Sequence, residues 1–96
     1  MDSVYYVYIL TNSNSRVMYV GSTKDLKNRV KQHRARGKTG FTHKYKVNKL
    51  VYFEKVVGGI EAGLRRERQI KEWRRSWKNA LVESINPTWM DLSETI

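Results

Sequence analysis

The segments VYYVYIL (Val4–Leu10), TNSNS (Thr11–Ser15) and VMYV (Val17–Val20) set the architecture of this chain. Branched and aromatic residues make up the first run, which is a composition typical of a well-buried strand. The middle segment is a polar turn, and the third is a second short strand that ends before Gly21. Two strands joined by about six polar residues predict an antiparallel hairpin.

A helix is predicted directly after the hairpin. Ser22 and Asp25 have the spacing of a capping box, in which Ser22 would be the N-cap of a helix that runs to about Ala35. Leu26 and Val30 lie four residues apart and therefore share one face of this helix.

The second half of the chain predicts one more strand and two more helices. The run KLVYFEKVV (Lys49–Val57) has the composition of a strand, and helices are expected over about 60–75 and 78–84. Asn86 and Pro87 stop the last helix. With strands at 4–10, 17–20 and 49–57, the fold class is α/β in the broad sense (α+β): a small three-stranded antiparallel or mixed sheet flanked by helices.

Length and composition limit the possible classes of protein. Ninety-six residues form one domain, 1–96, and 11% aromatic residues argue against disorder. The chain has no cysteine, which excludes disulfides, thiol catalysis and cysteine-based metal sites. No apolar run approaches the roughly 18 residues of a membrane span, and no signal peptide is visible. We expect a cytoplasmic protein without a membrane partner.

The charge of the chain is its strongest compositional signal. Nineteen Lys and Arg against nine Asp and Glu give a net charge of +10. Residues 24–49 hold ten basic residues and one acidic residue, a local balance of +9. A polyanionic partner is the leading interpretation, and nucleic acid is the commonest polyanion. A basic surface that serves only solubility is the alternative.

Glu67 is an anomaly in the second predicted helix. On a helical wheel it falls within the apolar stripe of Ile60, Gly63, Leu64 and Ile70. A carboxylate that faces a core needs a partner, which an ion pair with a lysine four residues later would supply. The other interpretation is a ligand for Mg²⁺, an ion that often uses only one or two protein carboxylates.

Arg29 and His33 form a second candidate pair on the first helix. Their spacing stacks a guanidinium one turn from an imidazole, which suits binding a phosphate and moving a proton beside it. An ordinary exposed basic helix face is the alternative. Tyrosines crowd the hairpin as well; they pack in most strands, but a phenol with a lowered pKa can also act as a base.

The order of these elements resembles the GIY-YIG nuclease superfamily, and most closely its small stand-alone bacterial branch. Tyr6-Val7-Tyr8 stands at the position of the first family triplet, and Tyr19-Val20-Gly21 at the position of the second. Arg29 follows Tyr19 by ten residues, His33 follows four later, and Glu67 stands where the family has its metal-binding glutamate.

Two positions depart from the family pattern. Tyr6 replaces the glycine of the first triplet. The late asparagine of the family has two candidates, because Asn79 matches the spacing of the repair enzymes, whereas Asn86 matches the closing motif of the small branch. We favour Asn86.

The resemblance implies a metal-dependent endonuclease that hydrolyses DNA, with RNA not excluded, in DNA repair or processing. It implies that Tyr8, Tyr19, Arg29, His33, Glu67 and Asn86 are catalytic, that Glu67 holds one Mg²⁺ or Mn²⁺, and that Gly21 is a structural part of its triplet. Arg34, Lys44 and Lys46 would bind flanking phosphates. The alternative function is a basic nucleic-acid-binding module without cleavage.

Overall fold

The computed structural model describes residues 4–35 and 45–96. Within them the chain forms three strands and three α-helices. In chain order these are β1 (Val4–Thr11), β2 (Met18–Thr23), α1 (Leu26–Ala35), β3 (Lys49–Val57), α2 (Gly59–Glu72) and α3 (Arg75–Ile85), followed by a short 3₁₀ turn at Ser93–Thr95. The predicted α+β class is confirmed.

The three strands form one antiparallel sheet in the order β2-β1-β3. The VYYVYIL segment is therefore the central strand, as its apolar composition on both faces requires. In the register of the hairpin, Tyr8 lies opposite Gly21 and Leu10 lies opposite Tyr19. Tyr8 and Tyr19 consequently project from the same face of the sheet.

Each face of the sheet is covered by helices. On one face Val7 and Ile9 pack with Ile70 of α2 and Val82 of α3. On the other face Tyr8 and Leu10 pack with residues of α1 and β3, namely Leu26, Val30 and Leu50. The sheet thus separates α1 from α2 and α3.

The predicted capping box at the start of α1 is wrong. β2 continues to Thr23, so Ser22 is still in the strand and cannot be the N-cap. Asp25 caps the helix instead: its Oδ1 accepts the Asn28 N–H at 3.1 Å, and its carbonyl accepts the Arg29 N–H at 3.0 Å. The side chain of Ser22 is thereby available for another contact.

The two later helices differ from their predicted bounds. The break falls at Trp73 and Arg74, whereas the predicted helices end at about 75 and begin at about 78, so α2 ends earlier and α3 begins earlier than expected. Gly63 and Ile70 are buried, but Ile60 and Leu64 of the predicted stripe are exposed. A helix that could cross a bilayer is absent from the described parts of the chain.

Candidate active site

Two tyrosines and a histidine form an aromatic cluster beneath α1. The rings of Tyr8 and Tyr19 lie 6.2 Å apart, and His33 meets them edge-on at 5.9 and 5.4 Å respectively. Tyr8 Oη and His33 Nε2 are 3.1 Å apart and share a hydrogen bond, in which the His33 tautomer determines the donor. The structure brings together three of the predicted site residues here.

Gly21 makes this cluster possible. A Cβ atom at this position would lie 2.6 Å from Tyr8 Oη and 2.9 Å from Tyr19 Cε1, which is too close for any side chain. The glycine of the second triplet therefore provides the space that the Tyr8 phenol occupies. The requirement is steric and does not concern backbone conformation.

Tyr8 is buried, with none of its surface exposed. Burial, aided by the neighbouring Tyr19, raises the pKa of its phenol well above the ordinary value of 10. The guanidinium of Arg29 opposes this rise in pKa without overcoming it. Tyr8 therefore stays protonated at neutral pH, and the expectation that a hairpin tyrosine with a lowered pKa acts as a base does not apply to it. A buried neutral phenol instead orients its neighbours by hydrogen bonds.

His33 is neutral at physiological pH. Burial, and secondarily the charge of Arg29, lowers the pKa of its imidazole below the ordinary value of 6.5. A neutral imidazole has one nitrogen that can accept a proton. His33 can therefore act as a base or as a hydrogen-bond partner beside Tyr19.

Glu67 lies at the boundary between α2 and β2. Its side chain is only 16% exposed, and Oε2 accepts a hydrogen bond from Lys71 Nζ at 2.6 Å. The ion pair with Lys71, which the sequence predicted as the structural role of Glu67, is thus present. Its other oxygen, Oε1, accepts the hydroxyl of Ser22 at 2.5 Å. The carboxylate is fixed between a strand and a cation on its own helix.

Ser22 is a site residue that the sequence interpretation missed, because the capping pattern assigned its hydroxyl to a helix end. The observed contact joins residues 45 positions apart. The sequence did contain one signal for this contact. Residues of a strand alternate between faces, so Ser22 faces away from Gly21 and Tyr19, toward the side that α2 covers.

A cleft of about 400 Å³ connects α1 with α2 at this end of β2. Ser22 lies in its wall, Arg29 lines it from α1, and the exposed Leu64 lines it from α2. Both Arg29 and Glu67 are close enough to Tyr8 to influence the pKa of its phenol. The guanidinium of Arg29 and the carboxylate of Glu67 therefore both lie within electrostatic range of Tyr8, although Glu67 meets β2 on the other face of the sheet through Ser22.

Glu67 and Ser22 form a donor set that fits one hard divalent cation. Both offer oxygen, and Mg²⁺ or Mn²⁺ in such sites takes few protein ligands and keeps several waters. No cluster of three or more acidic or histidine ligands exists in residues 4–35 and 45–96. The half-exposed ammonium of Lys71 already pairs with the Glu67 carboxylate, which is the group that would attract a metal ion. A bound metal would therefore have to displace this ammonium.

The nitrogen and the oxygen of the Asn86 side-chain amide both form hydrogen bonds with backbone groups. Its Nδ2 donates to the carbonyls of Val51 and Met90, each at 2.9 Å, and its Oδ1 accepts the Met90 N–H at 3.0 Å. The side chain is buried and holds the closing segment against β3. These contacts favour a structural role for Asn86, so we leave it out of the catalytic set that is proposed below. The alternative, Asn79, accepts a hydrogen bond from Arg75 on α3.

The three predicted phosphate-binding residues have different surroundings. Arg34 forms an ion pair with Asp91 and donates to the carbonyl of Asn48 at 3.1 Å, so its guanidinium is used to join α1 to the closing segment. Lys46 is exposed. Lys44 lies outside the described residues.

Comparisons with known proteins find related sequences and a related fold. A sequence model of the GIY-YIG catalytic domain matches residues 4–80. A UPF0213 protein of Haloquadratum walsbyi is 35% identical over 83 residues, which cover 86% of this chain and 91% of that protein. The solution NMR structure of a UPF0213 protein from Bacillus halodurans is similar with a TM-score of 0.56 and 25% identity, over 95% of each chain.

Proposed function

Because the chain belongs to the GIY-YIG catalytic-domain family, a family of nucleases, we propose that it is a metal-dependent endonuclease. Its reaction would be attack of water on a phosphodiester bond of DNA, in DNA processing or repair. The observation that carries the proposal is that Arg29 and Glu67 both lie near enough to the Tyr8 phenol to influence its pKa, while Tyr8 contacts Tyr19 and His33.

Arg29 would bind the phosphate that is cut. Its side chain is exposed on α1 and lines the cleft, so a nucleic-acid backbone can reach it. A guanidinium donates two parallel hydrogen bonds to phosphate oxygens and neutralises the charge that builds on them during attack.

Tyr19 would position the attacking water, since its side chain is only partly buried whereas Tyr8 is inaccessible. Tyr8 and His33 would hold the Tyr19 ring by the edge-on contacts and hydrogen bonds of the cluster. Neutral His33 can accept the proton that the water loses, directly or through a phenol.

Glu67 and Ser22 would hold one Mg²⁺ or Mn²⁺ after Lys71 moves aside. When bound, such an ion acts as a Lewis acid that stabilises the negative charge of the phosphate and the departing 3′ oxygen. Since Glu67 is already neutralised by an ion pair, we expect substrate phosphates to contribute to metal binding.

The test is cleavage of a panel of nucleic acids by the purified protein. Supercoiled plasmid, branched, flapped and single-stranded DNA, and RNA are incubated with Mg²⁺ or Mn²⁺, with EDTA reactions in parallel. We expect cutting of DNA that stops in EDTA. Arg29→Ala should lower the rate by about 10²-fold or more, whereas Lys31→Ala, which removes an exposed charge from the same helix, should change it little.

A protein that binds these nucleic acids but cuts none of them would contradict the nuclease assignment. The basic binding module would then be the better description. Its affinity would fall steeply with salt, with a slope of about −0.9 per neutralised phosphate on duplex DNA.

A further inference from the structure

A second cavity, of about 700 Å³, lies on the other side of the start of α1. We propose that this cavity, the aromatic pocket, binds an unpaired nucleobase of the substrate strand next to the phosphate that is cut. This inference rests on the proposed nuclease function and names its substrate class. Tyr6 and Phe53 of the sheet line it together with Lys24, Asp25, Leu26 and Lys27 at the start of α1, and residues 95–96 close its remaining side.

Two aromatic rings form the wall of the pocket. Phe53 lies opposite Tyr8 in the sheet register, and Tyr6 lies two residues before Tyr8 on the same strand. Both side chains therefore project from one face, as diagonal neighbours. Each is only half-buried, so part of each ring remains accessible. Aromatic faces bind nucleobases by stacking, which tolerates any sequence because every base has a π-face.

The remaining lining residues favour a nucleobase over other ligands. Leu26 is buried beside the rings, so the interior is apolar. A phosphate alone would gain nothing from such a wall, whereas a nucleotide has an apolar face and an anionic group. The volume is within the usual range for a small-molecule site and is sufficient for a nucleoside.

The mouth of the pocket carries the charge that a nucleotide requires. Lys24 and Lys27 are exposed there and can bind backbone phosphates. Asp25 is the one carboxylate among the lining side chains, and its Oδ1 accepts the Asn28 N–H. The lining side chains therefore keep a net positive charge.

The aromatic pocket adjoins the cleft that Arg29 lines. Lys24 and Asp25 line both, so the two openings lie side by side at the start of α1. A strand with its scissile phosphate at Arg29 would thus place a neighbouring nucleotide at the pocket. A fully paired duplex has no base to insert. The proposed substrate is therefore DNA with unpaired bases, such as a single strand, a flap or a branch.

The experiment compares two ligands of equal charge in EDTA, where no cleavage occurs. One is tetrathymidylate, and the other is an abasic deoxyribose tetramer with the same number of phosphates. We expect the wild-type protein to bind the thymidine tetramer about 5- to 100-fold more tightly. In an NMR titration, the amide shifts that depend on the bases should lie at Leu26, Phe53 and their neighbours.

Variants test whether the preference for bases belongs to this pocket. Tyr6→Leu and Phe53→Leu keep apolar volume but remove a ring, and each should greatly reduce the preference for the thymidine tetramer. Trp77→Leu, which removes an exposed ring from α3, is the control and should leave it unchanged.

Equal binding of the two tetramers, binding of neither, or base-dependent shifts away from the pocket would overturn the inference. A preference that persists in both pocket variants would do the same. If the leucine variants do not fold, the location of the shifts in the wild-type protein still gives the answer. Base-dependent binding without cutting would refute the proposed nuclease alone, whereas cutting without base-dependent binding would refute this inference alone.

Discussion

Gly21 shows how strictly single residues determine the geometry of the aromatic cluster. The Tyr8 phenol lies where the side chain of any other residue would begin. Since Tyr8 is also the partner of His33 and a neighbour of Tyr19, a displaced phenol would move the whole cluster.

We predict that Gly21→Ala loses both stability and cleavage. Forcing a methyl group against a packed ring costs about 1–3 kcal/mol of the free energy of unfolding, which urea denaturation would measure. Cleavage should fall further than the folded fraction does, because the tyrosines are displaced even in molecules that fold. A variant that is as stable and as active as the wild type would show that the cluster does not need this space.

For Asn86 we expect a loss of stability without a loss of cleavage, since its amide contacts backbone alone in the described structure. Asn86→Ala should lower the free energy of unfolding by about 2–4 kcal/mol, because three hydrogen bonds of about 1 kcal/mol each are lost and buried carbonyls are left without a donor. The folded fraction should cut at the wild-type rate. A stable variant that has lost cleavage would restore the catalytic role.

Among the secondary-structure elements, the contact between β2 and α2 positions the proposed metal ligand. Ser22 fixes one oxygen of Glu67, and Lys71 neutralises the other. On the far side of α2, Arg66 donates two hydrogen bonds to Glu54 of β3, at 2.7 and 3.1 Å. The helix is therefore tied to both outer strands of the sheet, so Glu67 is held against β2 by more than its own contacts.

Lys71→Met should make the site bind its metal more readily. The ammonium competes with a divalent ion for the carboxylate, and since Lys71 is half exposed this ion pair contributes up to about 1 kcal/mol. We therefore expect the Mg²⁺ concentration for half-maximal cutting to fall about 2- to 5-fold. Arg68→Met, which removes an exposed charge from the same helix, should leave it unchanged. An unchanged or higher Mg²⁺ requirement in Lys71→Met would argue against Glu67 as the ligand.

Much of the molecule as a whole could be predicted from local patterns. The strands and their antiparallel hairpin followed from composition within short segments, and the family followed from the resemblance of the two triplets and the later site residues to a known pattern; the fold and the family are confirmed. The shared face of Tyr8 and Tyr19 also follows from strand alternation, because their register is fixed by the hairpin.

The features that could not be predicted depend on contacts between distant parts of the chain, and local sequence patterns do not contain these contacts. The hydroxyl of Ser22 binds a carboxylate 45 residues away, and Arg34 pairs with Asp91, 57 residues away. Ile60 and Leu64 matched a helical stripe, yet they are exposed because α2 packs through Gly63 and Ile70. The helical wheel could not separate residues that face the sheet from residues that face the cleft.

The proposal that Glu67 serves catalysis, and not merely the packing of α2, is tested most directly by the single-turnover cleavage rate of Glu67→Gln. This variant keeps the shape of the side chain and removes its charge, so binding to the same DNA in EDTA should be unchanged. With Mg²⁺ or Mn²⁺ the rate should fall by about 10²-fold or more, while Glu72→Gln on the same helix should cut normally. Cutting by Glu67→Gln at the wild-type rate would contradict the account.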